Sequence, residues 1–152
     1  MRQEELLAIQ KKFEQGVEKL KLLKRCLATV TKGMGISINS ESEDMAGGEL
    51  RFWFAGMDFY VRIRITDRDV DDVGPEYRVA VGWLDWGCID TDGTLDAPML
   101  TDFYDERGIL CELEREEFYC NFTDRDDQRV HESIRLKLGK LVGRSIAVNN
   151  AK

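Results

Sequence analysis

Among its 152 residues the sequence has one histidine, His131, no Cys-x-x-Cys pair, no long apolar run and no excess of positive charge. Each absence closes a class of function. A lone exposed histidine, with no Ser or Cys at a meaningful local spacing, is a poor basis for a catalytic triad. The four cysteines, Cys26, Cys88, Cys111 and Cys120, are spaced by 62, 23 and 9 residues, whereas a structural zinc ion needs ligands held in close pairs. Reduced, buried thiols are expected, with no metal and no cofactor. Residues 1–20 are broken by Arg2, Glu4, Glu5, Lys11, Lys12, Glu14, Glu18 and Lys19, which leaves no signal peptide and no membrane span, so a cytoplasmic protein is expected. Lys and Arg number 22 against 29 Asp and Glu, a net charge of −7. That balance argues against direct binding of nucleic-acid phosphates over the whole surface. No phosphate loop is present either, because Gly33 and Gly35 lack a strand-to-helix context and serve instead to end a helix.

What is present suffices for one folded core. Hydrophobic residues make up 43% of the chain and aromatics 9%, enough to offset the ordering entropy of a single domain over 1–152. Leu6, Ile9, Phe13, Gly16, Leu20, Leu23, Leu27 and Val30 step alternately by three and four, a heptad seam over residues 1–32. A helix of ~28 residues is about 42 Å long and overhangs a strand of ~7 residues, about 23 Å. Leu6, Ile9, Phe13, Leu20, Leu23 and Leu27 are therefore candidate dimer residues of a homodimer, the alternative being packing on the chain's own second helix.

From 36 to 122 the period becomes two, with Leu50, Phe52 and Phe54, then Phe59, Val61, Ile63 and Ile65, then Tyr77, Val79, Val81 and Trp83 on one face. A hairpin over Ile109 to Phe122 follows, turning at 114–117 and facing Cys111 against Cys120. Short polar connections favour an antiparallel meander. The segments 39–48 and 67–75 read as exposed loops. A C-terminal helix is expected over 124–142, weakened at its end by Gly139 and Gly143, with a strand over 134–138 as a minority reading. The expected fold class is α+β: a long N-terminal helix, a five- to six-stranded antiparallel meander and a C-terminal helix, in two layers. The element order resembles that of type III secretion chaperones, small acidic dimers, without a shared motif.

Charge is uneven along this frame. Residues 1–33 hold 8 basic and 4 acidic side chains, 34–128 hold 8 and 24, and 129–152 hold 6 and 1. The acidic middle suits a basic protein partner, such as a nucleic-acid-binding protein, with Asp67, Asp69, Asp71 and Asp72 as candidate contacts.

Asp90-Thr91-Asp92-Gly93-Thr94-Leu95 resembles the first motif of the haloacid dehalogenase-like phosphotransferases. On that resemblance Asp90 would be the nucleophile and Asp92 the acid/base, with magnesium alongside. The family's motif follows a continuous hydrophobic parallel strand, whereas Asp85 and Gly87 interrupt the residues before this one. A tight Asp-Gly turn is the plainer expectation. Calcium at Asp90, Asp92 and Asp96 lacks the ligand spacing of an EF-hand.

Strand parity supplies the sharpest candidate. Pairing Phe54 with Phe59 and Ile63 with Val79 puts Trp53 beside Tyr60, Arg51 beside Arg62 and Arg64 beside Arg78 on the outward face. Like charges opposed across a sheet require something negative nearby. Glu49, Glu76, Glu112 or Glu114 could supply it as a surface ladder. Alternatively, Arg51, Arg62, Arg64 and Arg78 hold an anionic small ligand such as a nucleotide, with Trp53 and Tyr60 as stacking faces. The leading functional expectation is a non-catalytic acidic binding protein of inhibitor, immunity, chaperone or counter-defence type. An anion binder or sponge is the alternative, and an Asp-based phosphotransferase the remote third.

Overall fold

The computed structural model describes residues 2–32, 37–38, 45–69, 78–121 and 128–151. The first helix, α1 (Gln3–Val30), buries Gly16, Lys19, Leu20, Leu23, Leu27 and Val30 along one stripe. Glu4 and Glu5 sit in its first turn, where the amide dipoles favour negative charge. It ends at Thr31, whose N–H and hydroxyl both turn back to the Leu27 carbonyl. The helix thus stops before Gly33 and Gly35, which lie outside the described residues.

Seven antiparallel strands follow in sequence order: β1 (Ser37–Ile38), β2 (Glu49–Phe54), β3 (Met57–Asp69), β4 (Arg78–Cys88), β5 (Leu100–Asp105), β6 (Gly108–Leu113) and β7 (Glu116–Cys120). Six are substantial and β1 is a two-residue edge. The second helix, α2 (Gln128–Ala151), completes an α+β domain. Both helices pack on one sheet face, where Leu20, Leu23, Leu27, Phe52, Phe59, Val61, Leu84, Trp86, Ile134 and Leu141 belong to a single buried cluster. No helix among the described residues is long and apolar enough to cross a membrane.

Turn chemistry sets the registers. Ala55 and Gly56 both have positive φ, 55° and 77°, a two-residue turn whose twist matches the flanking strands. It places Phe52 opposite Phe59 and Arg51 opposite Tyr60, two residues from the expected pairing. The β6–β7 turn is also tighter than expected, with Glu114 at φ 58°, so Cys111 faces Phe118 and Cys120 faces Ile109. Cys111 and Cys120 are buried, reduced thiols and diagonal neighbours.

The pairing of β3 with β4 departs further. Arg64 lies opposite Trp83 rather than Arg78, and Ile63 opposite Leu84 rather than Val79. An odd shift of five residues turns β4 over. Leu84 and Trp86 face the core, whereas Val79, expected inside, is exposed. Asp85 and Gly87, which look like interruptions, simply occupy the outward positions of a strand that continues to Cys88.

No strand was expected at β5. Its Tyr104 is fully buried, covers Gly82 and donates its hydroxyl to the Lys12 carbonyl of α1 at 2.7 Å. Gly16 makes that approach possible, because a Cβ there would lie 2.6 Å from the Tyr104 oxygen. The helix α2 starts at Gln128 and runs well past 142, through Gly139 and Gly143. Burial of Leu141 and Ser145 beyond Gly139 holds it in register with the sheet, which outweighs the intrinsic cost of glycine. The strand reading of 134–138 is thereby overturned.

Candidate functional site: an arginine groove on the uncovered sheet face

The outward row of β3 carries Tyr60, Arg62 and Arg64. After β4 the chain folds back over one end of this face. Asp92-Gly93 forms the tight turn, with Gly93 at φ 87°, the Gly93 N–H bonded to the Asp90 carbonyl and the Thr94 N–H to the Asp92 carboxylate at 2.9 Å. The Thr94 N–H first, and the Thr94 hydroxyl second, hold the exposed Asp92 carboxyl below its ordinary value. The returning segment bonds to the end of β4 through Asp96 N–H to Cys88 O and Met99 N–H to Trp86 O. Tyr60 is trapped beneath it: the ring lies on Gly87, and its hydroxyl donates to the Asp96 carbonyl at 2.6 Å. Burial, with Asp85 and Asp96 nearby, pushes the Tyr60 phenol up. The result is a groove of about 420 Å³ lined by Tyr60, Arg62, Arg64, Asp85, Leu95 and Pro98.

Arg64 meets Asp85 as a fork, Nε to Oδ2 at 2.7 Å and Nη2 to Oδ1 at 3.2 Å, and Thr101 donates to the same carboxylate at 2.9 Å. The Asp85 side chain is only 8% exposed against 46% for Arg64. The hydrogen bond to Asp85 raises the Arg64 pKa further. The Arg64 guanidinium also lies 5.4 Å from the Trp83 ring, which in turn meets Phe103 edge-on at 5.6 Å. Trp83 Nε1 is fixed by Thr66 at 2.8 Å. Arg51 pairs with Glu49. Arg62 sits between Glu49 and Asp85 in register, is exposed, and makes no hydrogen bond or ion pair among the described residues.

The four-arginine patch is therefore reduced to three. Arg51, Arg62 and Arg64 share the outward face. In the backbone register Arg78 stands opposite Asp69 at the far end of β4, five positions or ~17 Å from Trp83. Tyr60 is buried and offers no stacking face; Trp83 takes that place, while Trp53 stands 45% exposed at the β2–β3 hairpin, opposite Asp58. The acidic partner of Arg64 is Asp85, which sequence reading treated as a break in a strand.

Other candidates fall elsewhere. Asp67 is exposed near the end of β3, Asp69 ends that strand, and Asp71 and Asp72 lie outside the described residues. Asp90 and Asp92 sit on an exposed turn of an antiparallel sheet, the wrong setting for the phosphotransferase motif, and no metal-holding cluster occurs among the described residues. His131 is buried, not exposed, and its Nε2 has no hydrogen-bond partner among the described residues. Leu20, Leu23 and Leu27 belong to the chain's own core, and Phe13 packs against it, so they are not free to form a dimer seam; Leu6 remains 55% exposed.

One polar cluster escaped sequence reading. Asp102 points inward between Leu100 and Tyr104, accepts from Trp86 Nε1 at 2.9 Å and pairs with Lys137 of α2. Lys137 lies 5.1 Å from the Trp86 ring. β5 and β6 pair only at Tyr104–Ile109 and Asp105–Gly108, and beyond that hairpin lies a cleft of about 240 Å³ lined by Thr101, Asp102, Leu110, Glu112, Ser133 and Lys137. Alternation across Leu100, Asp102 and Tyr104 was the available signal, but its meaning depends on a lysine thirty-five residues away.

Comparison with protein-family models, with curated proteins and with solved structures finds no match for this chain.

Proposed function

We propose that the chain acts by protein–protein contact, as a non-catalytic acidic binding protein, through the sheet face that its helices leave uncovered. The observation that carries this reading is the outward row Arg64–Trp83–Phe103, a cation–aromatic–aromatic series on rigid strands. Tryptophan, tyrosine and arginine dominate the energetics of protein interfaces because they bring large contact area at low entropic cost. The arginine and tryptophan of this row are held by Asp85 and Thr66, so the surface is preorganised for contact. Glu112 and Glu117 stand directly opposite each other on the adjoining hairpin, a like-charge pair that a basic partner would relieve. The experiment is capture from the native host with the wild type, Trp53→Ala, Phe103→Ser and Glu112→Lys/Glu117→Lys. Loss of one specific protein from the variants, with unchanged circular dichroism, supports the reading; equal capture by all four sinks it.

A second reading rests on Arg62. Exposed in the groove and without an ion pair among the described residues, it could hold the anionic group of a small ligand such as a nucleotide. A thermal-shift panel of mono-, di- and cyclic nucleotides should then show a stabilisation that disappears in Arg62→Ala. No shift with any of them removes this reading.

A further inference from the structure

We propose that the N-terminal end of α1 pairs with the same segment of a second copy of the chain, antiparallel, about Leu6 and Ile9. This inference is independent of the sheet-face reading. The sheet's grip on α1 begins at Lys12, whose carbonyl accepts from Tyr104, and at Phe13, which covers Gly48. Nine residues, Gln3 to Lys11, precede that point, roughly 13 Å of helix at 1.5 Å per residue. Leu6 is 55% exposed, and neither it nor Ile9 is among the hydrophobic residues packed on the core. Both continue the core-facing stripe of Phe13, Leu20, Leu23 and Leu27, so the buried side of the helix extends past the layer that buries it.

The flanking residues determine which occupant fits. With Leu6 and Ile9 as heptad positions a and d, Glu5 and Lys12 both fall at g, and Gln3 and Gln10 both at e. In an antiparallel pair g faces g and e faces e. Glu5 then meets Lys12 of the second copy, Lys12 meets its Glu5, and each Gln3 meets a Gln10, while Leu6 packs on Ile9 across the twofold axis. A parallel pair would instead set Glu5 against Gln10 and Lys12 against Val17, with no ion pair. The segment is self-complementary in one orientation only, as an isologous contact requires. About three turns of helix bury less than a standard interface, so the association is weak and concentration-dependent.

The test is mass by light scattering or sedimentation across a concentration series. The wild type should rise above 17.5 kDa toward twice that mass. Glu5→Lys and Lys12→Glu should each abolish the rise, since each replaces both ion pairs by like-charge contacts. The double variant Glu5→Lys/Lys12→Glu should restore it, because the swap rebuilds both pairs with their signs exchanged. Circular dichroism of all three should match the wild type, and so should the melting of Glu5→Lys, which lies in the overhang; the two variants that replace Lys12 should melt somewhat lower, because its ammonium lies 5.7 Å from the centre of the Tyr104 ring. A wild type that stays monomeric at millimolar concentration overturns the proposal. So do single variants that still associate, or a double variant that does not.

Discussion

Tyr104 covers Gly82, its cross-strand neighbour between β4 and β5, so closely that any side chain at position 82 would enter the ring. The same pairing recurs on the opposite face, where Tyr60 lies on Gly87. In each case a glycine of β4 gives up its own packing so that a large ring from a neighbouring strand can lie against the backbone. The two rings then anchor other parts of the chain, Tyr104 through the Lys12 carbonyl and Tyr60 through the Asp96 carbonyl.

Gly82→Ala should therefore destabilise the fold by about 2–3 kcal/mol, through overpacking against a ring that has no free space to move into. Gly139→Ala should do the reverse. Nothing lies within 4 Å of a Cβ at that position, so the better helix former should gain about 0.5–1 kcal/mol. Urea midpoints of the two variants measure both signs, and a neutral Gly82→Ala would contradict the packing described.

The Asp102–Lys137 pair should be costly to break and less costly to remove. Their side chains are 11% and 14% exposed, so Lys137→Met leaves a nearly buried carboxylate whose one remaining hydrogen bond among the described residues is from the Trp86 N–H, a loss of about 3 kcal/mol. Replacing both partners, as Asp102→Leu/Lys137→Met, should cost less than the single change. Equilibrium denaturation of Lys137→Met, Asp102→Leu and the double variant against the wild type decides it; a double variant as unstable as the two singles added together would mean that the pair is not coupled.

Acid should weaken the β5–β6 hairpin through Asp105. Burial alone would raise this carboxyl, but hydrogen bonds from the Arg107 guanidinium and N–H outweigh it and hold the carboxyl below its ordinary value. A carboxylate depressed in the folded state contributes stability above its unfolded value of about 4 and loses it as pH falls through the folded value. Wild type and Asp105→Asn should differ in melting temperature at pH 7 and converge near pH 2. A gap of constant size would refute the assignment.

Cys26 is only half-buried, yet it should react slowly. Burial first, and Cys111 second, push its thiol up to about 11, and alkylation proceeds through the thiolate. At pH 8 a short iodoacetamide pulse should modify it on the order of a hundredfold more slowly than a free thiol. Mass spectrometry after tryptic digestion reads the rate, and labelling as fast as a model peptide would discard the burial effect.

Much of this is legible in the sequence. The three-and-four spacing from Leu6 to Val30 required one long helix. The alternation of Phe52 with Trp53, of Ile63 with Arg64 and of Cys111 with Glu112 put the correct residues on opposite faces of their strands, and it did so even where the turn was misjudged. At the β2–β3 and β6–β7 turns the true pairing slipped by two, and an even slip leaves every side chain on its own side.

At β3–β4 the slip was odd. Which face of β4 enters the core cannot be read from that strand alone, because Val79, Val81 and Trp83 alternate as well as Leu84, Trp86 and Cys88 do. The choice is made by the neighbours: Leu84 and Trp86 fill the space under Leu20, Phe52 and Ile134, and Gly82 and Gly87 leave room for rings from β5 and β3. The period of a segment is a local property of its side chains, and the sequence by itself determined that. Register is a contest between whole faces for one core, so the position of Arg78, the partner of Arg64 and the burial of Asp102 beside Lys137 were decided only when all the layers came together.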